Sequence, residues 1–328
     1  MILDIKTIEE IMCGAVDVKE ANGYYVLYRF TDEELSVEGN PNVHYSSGVR
    51  LSFKTDATAI EIKICVKNLA VREYFSLDIY RDGNLSGSLS NCDGTLECFA
   101  EKKYTLGEFS GKFPLGDSEK TVDIVLPHSV KCEIEYIELE NASFVTPVKR
   151  KKKLLAYGDS ITQGYDALHP ANTYASRLAD ALDAELYNKG LGGAPFCPHL
   201  VKAENGVDNP DYITVAYGTN DWSHCEAETI KANCEGFLKE LHQKYPGVPT
   251  FVLSPIWRAD IDTPKKAGTY ADVEKIIEDA CKKYKNMTLV HGLELVPPDS
   301  RLFGDIRLHP NDHGFMCYAE CLKKYFID

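Results

Sequence analysis

The apolar residues change period near residue 150, and that change decides what the chain can build. From about residue 20 to 145 they tend to alternate: Val49, Leu51 and Phe53; Ile60, Ile62 and Ile64; Val122, Ile124 and Leu126; Ile134 and Tyr136. Period two in β-branched residues turns one face of a strand inward and the other outward. The runs are broken at Asp82-Gly83-Asn84, Asp93-Gly94 and Gly116-Asp117, all of which have turn chemistry. Several short antiparallel strands in this span predict an all-β sandwich of jelly-roll type over residues 1–148. The alternation slips between Tyr136 and Ile137, which predicts a bulge there.

After the basic run Lys149 to Lys153 the pattern becomes one of strands and helices in turn. Leu154 to Tyr157, Ile213 to Tyr217, Phe251 to Leu253 and Thr288 to Val290 read as buried strands. Between and after them, apolar residues recur at helical spacing: Tyr174, Leu178 and Leu182; Ile230, Cys234, Phe237, Leu238 and Leu241; Val273, Ile276, Ile277, Ala280 and Tyr284; Phe315, Tyr318, Leu322 and Phe326. Such alternation predicts an α/β domain over residues 149–328, a parallel sheet with helices on both faces. No internal repeat or low-complexity segment interrupts it.

Composition removes several classes of partner. The 328 residues carry 36 basic and 50 acidic side chains, a net charge of −14, and only Lys149 to Lys153 concentrates positive charge. A nucleic-acid binder needs a basic face. No run of about 18 apolar residues exists to span a membrane, and MILDIKTIEEIMCG has no long apolar stretch of the signal-peptide kind. The eleven cysteines are odd in number, with no CxxC pair or zinc-type spacing. They read as reduced thiols of a cytoplasmic protein, and the neighbours Cys197/His199 and His224/Cys225 as packing residues. Oligomeric state is not legible.

Chemistry concentrates in four loops. In Leu154 to Gly164 a buried strand ends at Gly158, so Asp159 and Ser160 lie where the chain leaves the sheet, the edge at which parallel sheets bind ligands. A serine there should be exposed, beside free backbone N–H groups. Asn188-Lys189-Gly190-Leu191-Gly192-Gly193 and Gly218-Thr219-Asn220-Asp221 follow the next strands in the same relation, and Asp305-Ile306-Arg307-Leu308-His309-Pro310 precedes the last helix. Topology brings all four loops to one edge. A plain turn with an Asx cap would explain Gly158-Asp159-Ser160 alone.

Taken in order, GDSIT, NxGxxG, GTND and HPN resemble the SGNH, or GDSL, hydrolase superfamily, from about Lys153 to the C-terminus. The resemblance implies a flavodoxin-like hydrolase domain with Ser160 as nucleophile and His309 as general base. It also implies an oxyanion hole made by the N–H groups of Ser160 and Gly193 and the side-chain amide of Asn220. These residue types suit those roles. A serine hydroxyl attacks only when a base takes its proton, Gly193 lets an N–H approach unobstructed, and Asn220 has the NH₂ donor that Asp lacks. No GxSxG motif supports an α/β-hydrolase elbow.

The family usually places its Asp three residues before the His, where this chain has Ile306. Asp305, four before His309, is the expected third member, with a main-chain carbonyl as the alternative partner of the imidazole. His313 is the rival base, expected instead to cap or pack on the last helix. Asp159, Trp222 and Trp257 are candidate substrate contacts, since aromatic faces stack on sugars, although each tryptophan could equally fill a loop. Arg258 and Arg307 read as surface charges.

A β-sandwich before an SGNH domain resembles the two-domain carbohydrate esterases of family 2. That architecture implies a serine esterase deacetylating oligosaccharides through an acyl-enzyme, with a small-molecule ester as its partner and no metal or organic cofactor. A short-chain esterase, thioesterase or lysophospholipase is the second reading, favoured by a long apolar trench. A non-catalytic carbohydrate-binding pair is the third, and the full set of four motif residues argues against it.

Overall fold

Alternating apolar residues in the first part of the chain give two antiparallel sheets. One runs in the order Met12–Cys13, Arg50–Thr55, Lys120–Val125, Ser76–Arg81, Asn84–Ser90, with Val145–Pro147 also paired to Arg50–Thr55. The other runs Asp17–Ala21, Tyr24–Tyr28, Lys131–Glu140, Ala59–Lys67, Gly107–Pro114. Leu51, Phe53, Ile79, Val122 and Ile124 of the first sheet share one core with Ile60, Ile62, Ile64, Ile134 and Ile137 of the second. Each such side chain contributes about 1.5–3 kcal/mol by leaving water, so the period-two pattern is what closes the sandwich. The computed structural model describes residues 1–92 and 104–326. The expected Asp93-Gly94 turn lies outside them.

Turn chemistry sets the hairpins. Asp82 and Gly83 have φ of 49° and 77°, the left-handed pair that a two-residue hairpin loop requires. Asn22 and Gly23, at 54° and 80°, make a second such loop that the sequence reading passed over. The bulge is real but falls earlier than expected. Ile134 pairs with Ile64 and Tyr136 with Lys63, leaving Glu135 as the extra residue.

The second region forms a five-stranded parallel sheet: β1 (Lys152–Gly158), β2 (Ala184–Gly190), β3 (Tyr212–Ala216), β4 (Thr250–Leu253) and β5 (Met287–Val290). Their spatial order is β2-β1-β3-β4-β5, the flavodoxin-like order, and every pairing is parallel. Helices gather in two groups. Tyr174–Ala181 packs on Asp312–Lys323, while Ala227–Lys244 packs on Pro198–Ala203 and Tyr270–Cys281. Among the described residues no helix is long and apolar enough to cross a membrane.

Contact density separates two units. The first holds Met1–Phe30, Pro41–Arg150 and Leu168–Ala171; the second holds Thr31–Asn40, Lys151–Ala167 and the chain from Asn172 onward. Thr31–Asn40 thus belongs with the parallel sheet, although it lies between strands of the sandwich in sequence. It contains the helix Asp32–Val37, started by a capping box between Thr31 and Glu34.

Candidate active site

At the end of β1, Asp159 caps the short helix Ser160–Gln163, its Oδ1 accepting the N–H of Ile161 at 2.9 Å. This turn carries Ser160 to the carboxyl edge of the sheet. The serine is 4% exposed, against the expectation of an open position. Its Oγ lies 2.9 Å from His309 Nε2.

The loop before the last helix supplies His309 and Asp305. Asp305 Oδ2 lies 2.7 Å from His309 Nδ1. The other oxygen, Oδ1, accepts the backbone N–H groups of Arg307 (3.0 Å), Leu308 (2.7 Å) and His309 (3.0 Å). Burial by itself would raise the carboxyl's pKa, but the His309 hydrogen bond and these donors hold it well below the usual carboxylate range. Ile306 makes the spacing work. It takes the left-handed conformation, φ 55°, with its side chain 71% exposed, so the chain curls back over the Asp305 carboxylate. The loop's base is pinned by the Gly304 N–H on the His309 carbonyl at 2.8 Å. A main-chain oxygen does not take the Asp305 position.

Asn188, Gly190 and Gln163 hold the glycine-rich loop after β2 against the serine turn. Asn188 Nδ2 donates to the Thr162 carbonyl and Oδ1 accepts the Gly190 N–H, both at 2.8 Å. A Cβ at Gly190 would lie 2.4 Å from the Gln163 nitrogen, so only glycine permits this approach. Gln163 Oε1 accepts the Gly192 N–H at 2.7 Å. Gly193, exposed and at φ 80°, follows, and its N–H finds no acceptor among the described residues. The Asn220 amide, at the start of the helix Thr219–His224, donates weakly to Asp159 Oδ2 at 3.3 Å and to the Ala194 carbonyl at 3.2 Å. Bonds this long yield readily to a better acceptor.

The other expected residues fare differently. Asp159 is 2% exposed, and burial pushes its carboxyl up to about 7, so it is a structural cap and not a surface contact. Trp222 is fully buried. Its Nε1 donates to the Gly268 carbonyl at 3.0 Å, its ring meets Tyr270 at 4.8 Å, and Arg258 and Lys265 lie over it, which leaves no face for a sugar. Trp257 is half-buried against Phe303, with centroids 5.0 Å apart. Arg258 is not a surface charge. It is 4% exposed and bonds Thr219, Ser223 and Asp260, whereas Arg307 is exposed and pairs with Asp260 at 3.3 Å. His313 is exposed in the first turn of the last helix.

Sequence reasoning missed Gln163, Asp166 and Tyr165. Gln163 was within reach, as it closes the GDSITQG stretch. Asp166, at φ 68°, brings Oδ2 to 3.9 Å from His309 Nδ1, and the Tyr165 ring lies 5.5 Å from the imidazole. No local pattern marks either. Asp166, Asp305 and His309 bring ligand-type atoms within 4.8 Å of one another. Nδ1, however, is already engaged with Asp305. Glu38, Cys197 and His199 form a similar group, but burial pushes the Cys197 thiol up to about 12 and it donates to the Pro195 carbonyl. A protonated thiol is a poor metal ligand.

Residues 156–316 match the GDSL-like Lipase/Acylhydrolase family. A search of curated protein sequences finds no match. Among solved structures, the chain is similar to a GDSL-like lipase from Bacteroides ovatus, with TM-score 0.77 and 20% identity over 97% of this chain and 95% of that one. It is similar to a salicylyl-acyltransferase from a tetracycline biosynthetic pathway, with TM-score 0.75 and 21% identity over 96% and 93% of the two chains. An acetyl xylan esterase from the rumen bacterium Butyrivibrio proteoclasticus aligns over 99% of this chain and 97% of its own, with TM-score 0.66 and 15% identity.

Proposed function

We propose, for a chain whose residues 156–316 form a GDSL/SGNH lipase-acylhydrolase domain, that it is a serine esterase removing acetyl groups from oligosaccharides. That it is a carboxylic ester hydrolase follows from the family; the acetylated sugar is our reading. The observation that carries the mechanism is the unbroken run of hydrogen bonds from Ser160 Oγ through His309 to Asp305, at 2.9 and 2.7 Å.

In this reading His309 Nε2 takes the Ser160 proton as Oγ attacks the ester carbonyl. Asp305 accepts the Nδ1 hydrogen, which fixes the tautomer with Nε2 free and stabilises the imidazolium. Charge then develops on the former carbonyl oxygen. The Ser160 N–H, which the first turn of its helix leaves unused, the Gly193 N–H and the Asn220 amide receive it. Each such donor contributes about 10²–10³-fold. Collapse of the intermediate passes the Nε2 proton to the departing sugar oxygen, which leaves as a hydroxyl, and water, activated by the same imidazole, frees the acetate.

The sugar reading is supported by the two-part architecture that this chain shares with the acetyl xylan esterase. The domains divide near residues 148 and 149, with residues 31–40 serving the catalytic half. Trp257 is the remaining aromatic candidate for a sugar contact. A panel of acetylated oligosaccharides against p-nitrophenyl esters of increasing chain length tests the specificity. Turnover rising with chain length would exclude deacetylation. Ser160→Ala tests the chemistry, with an expected loss on the order of 10⁶ in kcat.

A further inference from the structure

The Gly193 N–H can serve as an oxyanion donor only if its peptide faces the right way. That peptide lies between two glycines, Gly192 and Gly193, so no Cβ resists its rotation. Its two ends are nevertheless linked. A peptide unit is planar and trans, so the Gly192 carbonyl and the Gly193 N–H point in opposite directions. Whatever grips the carbonyl aims the N–H.

Asn40 grips it. Its Nδ2 donates to the Gly192 carbonyl at 2.9 Å across 152 residues of sequence. The segment that presents Asn40 is firmly seated. The Lys189 ammonium, three residues before Gly192, meets both oxygens of Glu34 at 2.8 and 2.7 Å, and both side chains are fully buried. Asn40's own N–H is held by Glu38 Oε1 at 3.0 Å. On the other side Gln163 Oε1 holds the Gly192 N–H, fixing the preceding peptide. Gly192 is therefore clamped at both its N–H and its C=O, by side chains from two separate segments.

We propose that Asn40 is a positioning residue for ester hydrolysis, which locks the Gly192–Gly193 peptide with its N–H turned toward the carbonyl attacked by Ser160. The inference rests on the esterase reading above and adds a part of the machinery outside the four family motifs. Without Asn40 the peptide is free to flip, and the hole loses one donor for part of the time.

The test compares Asn40→Asp and Asn40→Ala with the wild-type full chain on p-nitrophenyl acetate. Asp keeps the shape but sets an oxygen against the Gly192 carbonyl; Ala reads the same loss if the Asp variant does not fold. Losing one oxyanion donor outright costs about 10²–10³-fold, so a partial flip should lower kcat about 10- to 100-fold with KM within about threefold. Inhibition by a trifluoromethyl ketone, whose hemiketal oxyanion mimics the intermediate, should weaken by a similar factor. Asn205→Ala is the control, since Asn205 ties the same segment through Glu33 at 3.0 Å but does not touch Gly192; it should leave kcat unchanged. Asn40 variants within threefold of wild type in kcat, or an Asn205→Ala loss as large as theirs, would overturn the proposal. Ser160→Ala run in parallel separates the two readings. If it too keeps activity, the esterase assignment itself falls; if it loses activity, only the role of Asn40 does.

Discussion

Asp305 reaches His309 across one residue more than the usual DxxH spacing, with Oδ2 2.7 Å from Nδ1. Three backbone N–H groups on Oδ1 keep the carboxylate ionised and aimed. In Asp305→Asn the amide oxygen has to take the place of Oδ1, where three backbone N–H groups need an acceptor, so the NH₂ faces Nδ1 and favours the wrong tautomer. Where the corresponding substitution has this effect, kcat falls about 10⁴-fold. A loss of that order is expected here, with KM little changed because the interaction strengthens as the imidazolium forms. A loss of only tenfold would mean that Asp166, at 3.9 Å, can take over.

Ile306 absorbs the extra residue by occupying a conformation that costs a β-branched side chain about 1–2 kcal/mol. Its side chain is mostly exposed and contributes little packing. Ile306→Gly should therefore keep kcat within about twofold and leave stability unchanged or raise it by up to about 1 kcal/mol, the relief of strain being offset by glycine's greater unfolded-state freedom. Thermal unfolding and steady-state rates read both. A tenfold loss in kcat would show that the isoleucine side chain itself supports the loop.

The same loop shows where the sequence was legible and where it was not. The four motifs placed Ser160, Gly193, Asn220 and His309 on one sheet edge because strand order and loop position follow from periodicity. Whether Asp305 could bridge the longer spacing depended on the φ of one residue, and no side-chain pattern reveals that. Burial was the other blind spot. Trp222, next to GTND, and Arg258, in the loop after β4, face inward, because Tyr270 packs on the first and Thr219 and Ser223 bond the second from elsewhere in the chain. The bulge was misplaced because a slipped alternation marks a change of phase without showing which residue, here Glu135, is left over. The helix Asp32–Val37 was passed over although Thr31 and Glu34 carry a capping-box signature. Six residues are too few for a periodic signal.

The Lys189–Glu34 pair is buried on both sides, so its two members should respond very differently alone and together. Lys189→Met leaves a carboxylate without its partner in the interior, at a cost of about 3–5 kcal/mol. Adding Glu34→Leu removes that charge, and buried pairs replaced by apolar groups are often neutral in stability. The double variant should thus recover most of the loss, less about 1 kcal/mol for the capping-box bond of Glu34 to Thr31. Urea unfolding of the wild type, Lys189→Met, Glu34→Leu and the double variant measures this. Additive losses would show that the ions are hydrated and uncoupled.

Asp159 makes stability depend on pH in a direction opposite to most carboxylates. Burial raises its carboxyl from the ordinary 3.8 to about 7 in the folded protein. Between those values the folded state keeps a proton that the unfolded state has released. The contribution is therefore fully present below about pH 4, declines as pH rises through the folded value, and is flat above it. Asp159→Asn abolishes this titration while its Oδ1 still accepts the Ile161 N–H, so the helix cap survives. The amide cannot accept from Asn220 as Asp159 Oδ2 does, which adds an offset that does not vary with pH. The diagnostic quantity is the slope. Relative to wild type, the variant should gain on the order of 2–4 kcal/mol between pH 4.5 and pH 8, most of it between pH 5 and 7. Denaturant unfolding of both proteins at pH 4.5, 6 and 8 checks it. A stability difference that stays constant across that range would mean that Asp159 is ionised throughout, with water or a counter-charge reaching it in the folded state.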